Sequence, residues 1–507
     1  MKRFWGKNRE APVTAVDVPV APDDGPTEEA LQATEKSTWE RIWPVLACGS
    51  GLFSDGYLNN VISSVSQMLG NIYHGAYTNS SAKKNISSLV FAGTVVGMLF
   101  FGYTSDKWGR KNSLLASTTV LFVFAALAAG SYGAGGSTGG LFAALTAYRF
   151  LLGIGIGGEY PAGSVGASEA SGEVKEGQRN TWFIMFTNVA IDWGFVIGAF
   201  VPYVIICITG EGYQHVAWRL CLGLGVIPPM ILFFLRLKLT EPEEFSRESM
   251  KHVRIPYWLV FKFYGFRLAV VSLIWFLYDF SNYAFGIYSP TIIATIIPDS
   301  SLATQFGWNT VINLFYIPGA MLGGPFSDWI GPQYALAVGV TAQAIVGYIM
   351  AALYGTLSKA GNIGAFCTVY GIFLTLGELG PGDNIGLVAS KTSATGIRGQ
   401  YYGIAAAFGK IGAFVGTYAF PSIEALGGDN IVKRNQYPFW VASSLCILSA
   451  LLATFCLPRI RQDTITYEDA RFRTYLESKG WDTRQLGLLE GQTVAERVIS
   501  DESGEKI

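Results

Sequence analysis

Long apolar runs recur along the chain, parted by short polar stretches. Twelve are long enough to cross a bilayer as helices, which takes about 20 residues each. They fall near 42–69, 86–106, 112–132, 139–163, 179–208, 216–237, 263–295, 304–328, 334–356, 362–389, 398–424 and 436–457, numbered here as spans 1 to 12. A charged stretch over 239–262 separates six from six. Residues 1–41 are polar and rich in Pro, Asp and Glu, and 458–507 are polar again. The pattern predicts an all-α integral membrane protein. Its parts are a disordered N-terminal tail (1–41), a six-helix bundle (42–238), a linker (239–262), a second six-helix bundle (263–457) and a C-terminal tail (458–507). No apolar signal core lies near Met1, so the first span is expected to target the chain to the membrane.

Composition agrees with that class. Half of the 507 residues are hydrophobic and 14% are charged, against about 25% in soluble domains. A net charge of −1 says nothing about partners, and no nucleic-acid partner is expected. The six cysteines lie in or beside apolar runs without metal or disulfide spacing and are expected to be buried thiols. The three histidines (His74, His215, His252) fall in predicted loops, which leaves intramembrane proton chemistry to carboxylates. There is no phosphate-binding GxxxxGK[ST] loop and no nucleophile–base–orienter set, so neither ATP drive, nor an enzyme, nor a cofactor or metal is expected. A monomer is expected.

One charged turn, Gly102-Tyr-Thr-Ser-Asp106-Lys-Trp-Gly109-Arg110-Lys111, joins spans 2 and 3. It recurs in weaker form as Gly324-Pro-Phe-Ser-Asp328-Trp-Ile-Gly331-Pro332-Gln333, at a constant offset of 222 residues. A duplicated half in an apolar chain is the signature of a transporter built from two repeats. The turn resembles the loop-2/3 signature of the major facilitator superfamily, which implies two pseudo-symmetric six-helix bundles.

Lys and Arg crowd the loops on the motif side (Lys107, Arg110, Lys111, Lys175, Arg179, Arg236, Lys238, Arg247, Lys251, Arg254, Lys391, Arg398) and are fewer opposite. That bias predicts a cytosolic motif side, with both termini cytosolic. Two glycosylation sequons, at Asn79 and Asn85, then fall in the first outer loop.

A charge at mid-bilayer costs roughly 2.5–3.5 kcal/mol on insertion scales, so each intramembrane charge needs a reason. The candidates are Asp55 (span 1), Arg149 and Glu159 (span 4), Asn188 and Asp192 (span 5), Asp279 (span 7), Glu378 and Asp383 (span 10) and Lys410 (span 11). The repeat relates several of them. Asn188 maps onto Lys410, Asp55 falls two short of Asp279, and Glu159 falls three past Glu378. Symmetry-related polar positions are expected to converge on the interface of the repeats. Lys410 and Arg149 are cations that suit a phosphate. Asp55, Glu159 and Asp279 can carry the coupled proton. The glycines of span 4 are read as close helix packing.

Arg149 to Pro161, Trp275 to Tyr283 and Ile397 to Ala413 resemble the phosphate:proton symporter branch. Ser54 to Asn60, Ile255 to Leu259 and Gly380 to Leu387 resemble its fungal glycerophosphoinositol permease group. The resemblance covers roughly residues 45–458. It implies proton-coupled uptake of glycerophosphodiesters at the plasma membrane, with Tyr160, Asn188, Trp275, Asp279, Tyr283 and Lys410 lining a phosphate site. Inorganic phosphate is the alternative substrate. A sugar or polyol porter and a non-transporting nutrient sensor come behind. The phosphate symporters carry a second acid in span 1, where this chain has Leu58 and Asn59. Glu378 and Asp383 stand where permease relatives tend to carry Asn. With Asp192 they are read as contacts for a cationic head group or as a second proton site. A lock on the motif side is expected from Asp106, Arg110, Lys111, Glu169 and Arg179, with Asp328 paired to Lys391 in the second half.

Overall fold

The computed structural model describes residues 37–175, 177–460 and 464–488. The described residues form helices and connecting turns, with no strand among them. Span 1 is Thr38–Gly49 followed by Leu52–Tyr73, and span 8 is Leu302–Leu314 followed by Tyr316–Ile330. The others are Ala82–Lys107, Arg110–Ala129, Thr138–Ala170, Arg179–Thr209 and Glu211–Arg236 in the first half. Tyr257–Ile296, Pro332–Leu357, Ile363–Lys391, Thr395–Ala425 and Ile431–Cys456 complete the second. These ten are long and apolar enough to cross a membrane. Spans 1 and 8 differ in burying several amides, among them Asn59, Asn60, Asn309 and Asn313.

The expected spans stand, with shifted edges. Helix begins at Thr38, inside the expected tail, because Ser37 and Glu40 form a capping box. Residues 1–36 of that tail lie outside the described residues. Span 7 starts at Tyr257, inside the expected linker, which also holds a short helix, Glu243–Glu248. The C-terminal tail contributes a helix, Thr464–Ser478. It docks on the motif side: Arg267 pairs with Glu468 at 2.9 Å, and Thr395 donates its backbone N–H to Asp469 at 2.6 Å. Burial raises the Asp469 carboxyl, against the pull of Arg398. Of the cysteines, Cys48, Cys221, Cys367 and Cys446 are buried as expected, whereas Cys207 is exposed.

The repeat is visible in the backbone. Gly109 (φ 98°) and Gly331 (φ 91°) each turn the chain into the next span in a conformation that favours glycine. Span 2 packs on span 11, span 8 on span 5, and span 1 on span 7, as a two-fold relation of the halves requires. Ser168 donates to Ser390 at 3.0 Å, 222 residues away. Two residues related by the repeat can touch only beside its axis. Within the first half, a Cβ on Gly153 or Gly157 would strike the backbone of span 2, so the span 4 glycines are packing positions.

The sequons do not share a loop. Asn79 is exposed beyond the helix Gly75–Thr78, but Asn85 lies in the first turns of span 2 and accepts the Tyr418 hydroxyl at 2.9 Å.

Candidate functional site

Spans 4 and 10 are the two helices that widen near the axis. Each passes through one π-type turn, at Glu159–Ser164 and Glu378–Gly382, with a proline (Pro161, Pro381) that removes a backbone donor. These turns bring Tyr160 and Glu378 to a cavity of about 60 Å³ between the halves, walled by spans 1, 4, 5, 7, 10 and 11. A water needs roughly 10–15 Å³ of such space, so the cavity holds only a few waters.

One pole of the cavity is Lys410. Its ammonium is 1% exposed and lies 3.6 Å from Asp279 and 3.9 Å from Asp55. It donates to the Tyr283 hydroxyl and sits 3.8 Å from that ring's centroid and 4.9 Å from that of Tyr160. Tyr160 in turn donates to Asp55, which also accepts from Asn59. Trp275 stands at the edge of the Tyr402 ring, with centroids 5.5 Å apart, and walls this pole. The site therefore offers a cation, two hydroxyls, aromatic rings and two carboxylates.

The other pole is acidic. Asn188 donates to Asp383 at 2.7 Å, to Glu378 at 3.0 Å and to Asp192 at 3.5 Å. Tyr278 donates to Glu378 at 3.0 Å. All three carboxylates are at most 2% exposed.

Two expected site residues lie elsewhere. Arg149 is buried away from the cavity and donates to the carbonyls of Ile86 (2.7 Å) and Leu58 (3.2 Å), tying spans 4, 2 and 1 together. Glu159 faces away from the cavity and pairs with Arg236 at 2.6 Å. Arg236, counted in the sequence with loop charges, is fully buried. An ionisable side chain in a membrane helix needs a partner, and that need is met as well between helices as in a cavity.

The residues expected in the lock gather on the motif side. Arg110 bridges Asp106 (2.7 Å) and Glu169 (2.8 Å), and Glu169 also holds Arg398 at 3.0 Å. Lys111 contributes its backbone N–H, to Glu241 at 3.2 Å, and Arg179 donates to the Val174 carbonyl at 3.1 Å. Asp328 and Lys391 converge on Asn180. Asp328 accepts that residue's backbone N–H at 3.2 Å, and Lys391 donates to its side-chain oxygen at 2.6 Å. On the opposite side Asn60 donates to Asn313 at 2.9 Å, and Gln67 to Gln305 at 2.5 Å. The two halves are thus joined on both sides of the cavity. Sequence reasoning missed Arg236, Arg398, Asn180, Tyr278 and Tyr402. The one available signal was Arg236 itself, flanked by apolar residues on both sides.

A family model described as "Sugar (and other) transporter" matches residues 43–254 and 243–470. The chain is 49% identical over 486 residues to the "Major glycerophosphoinositol permease GIT3" of Candida albicans, covering 95% of this chain and 90% of that protein. It is 50% identical over 452 residues to the "Glycerophosphocholine permease GIT4" of the same organism, covering 88% and 84%. Among solved structures, the proton:xylose symporter XylE bound to 6-bromo-6-deoxy-D-glucose superposes with a TM-score of 0.69 at 17% identity, over 85% of this chain and 98% of that one. At that identity the likeness speaks for the fold, a major facilitator transporter. The chain belongs to the sugar (and other) transporter family, on the branch that holds the glycerophosphoinositol and glycerophosphodiester permeases.

Proposed function

We propose that this transporter carries glycerophosphodiesters into the cell across the plasma membrane, with protons, by alternating access between its two halves. The observation that carries the proposal is Lys410, a buried cation in a cavity between the two halves. Its partners there are Asp279, Asp55 and the Tyr283 hydroxyl. When one of these carboxylates takes up a proton, Lys410 is released to an incoming anion, and the two events become coupled. The names of the similar permeases support a diester as that anion. The excess of Lys and Arg supports a cytosolic motif side, and twelve spans then place both termini there. The cavity is complete within one chain, so the monomer is the proposed transporting unit. Inorganic phosphate is the second reading, because a lysine and two tyrosine hydroxyls would hold it too.

Uptake of labelled glycerophosphoinositol, glycerophosphocholine and inorganic phosphate, in cells without their own transporters, tests the proposal. Acid-stimulated uptake of a diester, lost in Lys410→Ala and Asp279→Asn, is the expected result. Uptake of phosphate alone would establish the second reading. No uptake, with protein at the cell surface, would overturn both.

A further inference from the structure

Three carboxylates share one end of the cavity, and among the described residues the single cation in its lining is Lys410, at the other end. Asp192, Glu378 and Asp383 are 0%, 2% and 1% exposed. Asn188 is their shared donor and Tyr278 supplies one more hydrogen bond, to Glu378. Asp192 Oδ1 remains without any donor, as does Asp383 Oδ2, which packs against Gly323 of span 8. Buried carboxylates without a counter-charge are costly and are met either by a proton or by a cation, and an ammonium group carried by the substrate would be such a cation. Aromatic residues, Tyr278 and Phe183 among them, also line the cavity, and aromatic rings are the side chains that attract ammonium groups.

We propose that Asp192, Glu378 and Asp383 form a head-group subsite that selects glycerophosphodiesters whose alcohol bears an ammonium group. The phosphate lies at Lys410 and the ammonium at the acids, so that the dipole of the substrate matches that of the cavity. This deepens the transport proposal and rests on it. A neutral polyol head group such as inositol supplies no positive charge to these acids, so it gains less from this end.

The test compares labelled glycerophosphocholine and glycerophosphoinositol uptake by the full chain in transporter-deficient cells, at acidic and neutral pH, normalised to surface protein. In Glu378→Gln and Asp383→Asn the choline-to-inositol uptake ratio is expected to fall at least tenfold, with acid stimulation of the remaining uptake kept. An unchanged ratio would overturn the subsite. So would equal loss of both diesters together with loss of acid stimulation, which would make the acids a proton site. Wild-type protein gives a second measurement that does not depend on how the variants fold. Unlabelled glycerophosphocholine should compete with labelled glycerophosphoinositol at least tenfold better than its analogue in which carbon replaces the ammonium nitrogen. Equal competition overturns the inference and leaves diester transport standing. Uptake of neither diester by wild type overturns both.

Discussion

Removing one partner of the Glu159–Arg236 pair should unfold the transporter more readily without uncoupling it from protons. The pair is buried at the junction of spans 1, 3, 4 and 6. Arg236 donates to both Glu159 oxygens (2.6 and 2.7 Å), to Thr118 (2.5 Å) and to the Ala47 and Cys48 carbonyls (both 3.0 Å). Every donor of the guanidinium is thus used or shared. Arg236→Met leaves Glu159 with Thr118 and Ser117 hydroxyls alone. Breaking a buried pair from one side costs about 3–5 kcal/mol, roughly a hundred- to several-thousand-fold in the folded-to-unfolded ratio. Removing both charges at once costs much less, since the desolvation penalty goes with them. The expected order of melting temperature in detergent is therefore wild type, then Arg236→Met/Glu159→Leu, then Arg236→Met. Glu159→Gln should also melt early, because Arg236 is stranded. Whatever Glu159→Gln protein reaches the surface should keep acid-stimulated uptake. A Glu159→Gln variant that melts like wild type yet ignores pH would refute the argument and return Glu159 to the proton path. So would a double variant no more stable than Arg236→Met.

Two further outcomes follow from residues in the linker and around the start of span 2. Burial raises the Glu244 carboxyl from 4.5 to about 7, with Glu169 and Asp469 raising it further and Arg398 opposing. The docked linker is thus favoured while Glu244 is protonated, fully so below its ordinary value of 4.5, and this advantage is lost as pH rises through about 7. Tryptic cleavage after Arg247, Lys251 or Arg254 should rise from pH 5.5 to 8 in wild type relative to Glu244→Gln, and a constant ratio would contradict the assignment. In a glycosylating host, Asn79→Gln should remove a glycan and Asn85→Gln should not, as read by gel mobility after glycosidase. A glycan on Asn85 would mean that its bond to Tyr418 is not kept.

The spans, the repeat and the cavity's Lys410 pole were all legible in the chain, because each leaves a periodic or symmetric trace. Twenty apolar residues bounded by turns can do little but cross, and a fixed offset carries Asn188 onto Lys410. Arg149 and Glu159 were misplaced for a physical reason. Burial of a charge demands compensation, and a sequence does not say whether this comes from a ligand, a neighbouring helix or a carbonyl freed at a helix break. Glu159 and Glu378 show the limit clearly. Both open a π-type turn at related positions, yet one pairs with Arg236 and the other faces the cavity. The tail helix was missed because it buries only a few residues, chiefly Ile465, Phe472 and Leu476. Its polar remainder reads as a solvated tail.

The two copies of the charged turn show what the aspartate does. In the first, Asp106 accepts the backbone N–H groups of Gly399 and Gln400, both at 2.9 Å, in the first turn of the helix Arg398–Ala425. In the second, Asp328 accepts those of Asn180 (3.2 Å) and Thr181 (3.0 Å), in the first turn of Arg179–Phe186. Each aspartate therefore caps the start of a helix belonging to the other half, where unpaired N–H groups and the helix dipole both favour negative charge. The arginine is an addition in the first copy alone, where Arg110 gathers Asp106 and Glu169. The second copy has Pro332 and Gln333 in place of Arg110 and Lys111, and Lys391 at the repeat position of Glu169. The cap is thus the feature that both copies share. Hydrogen bonds to charged groups contribute about 1.5–3 kcal/mol each, so both caps resist separation of the halves on the motif side. Opening that side must break both, and the binding energy of substrate and proton in the cavity is what can offset the cost.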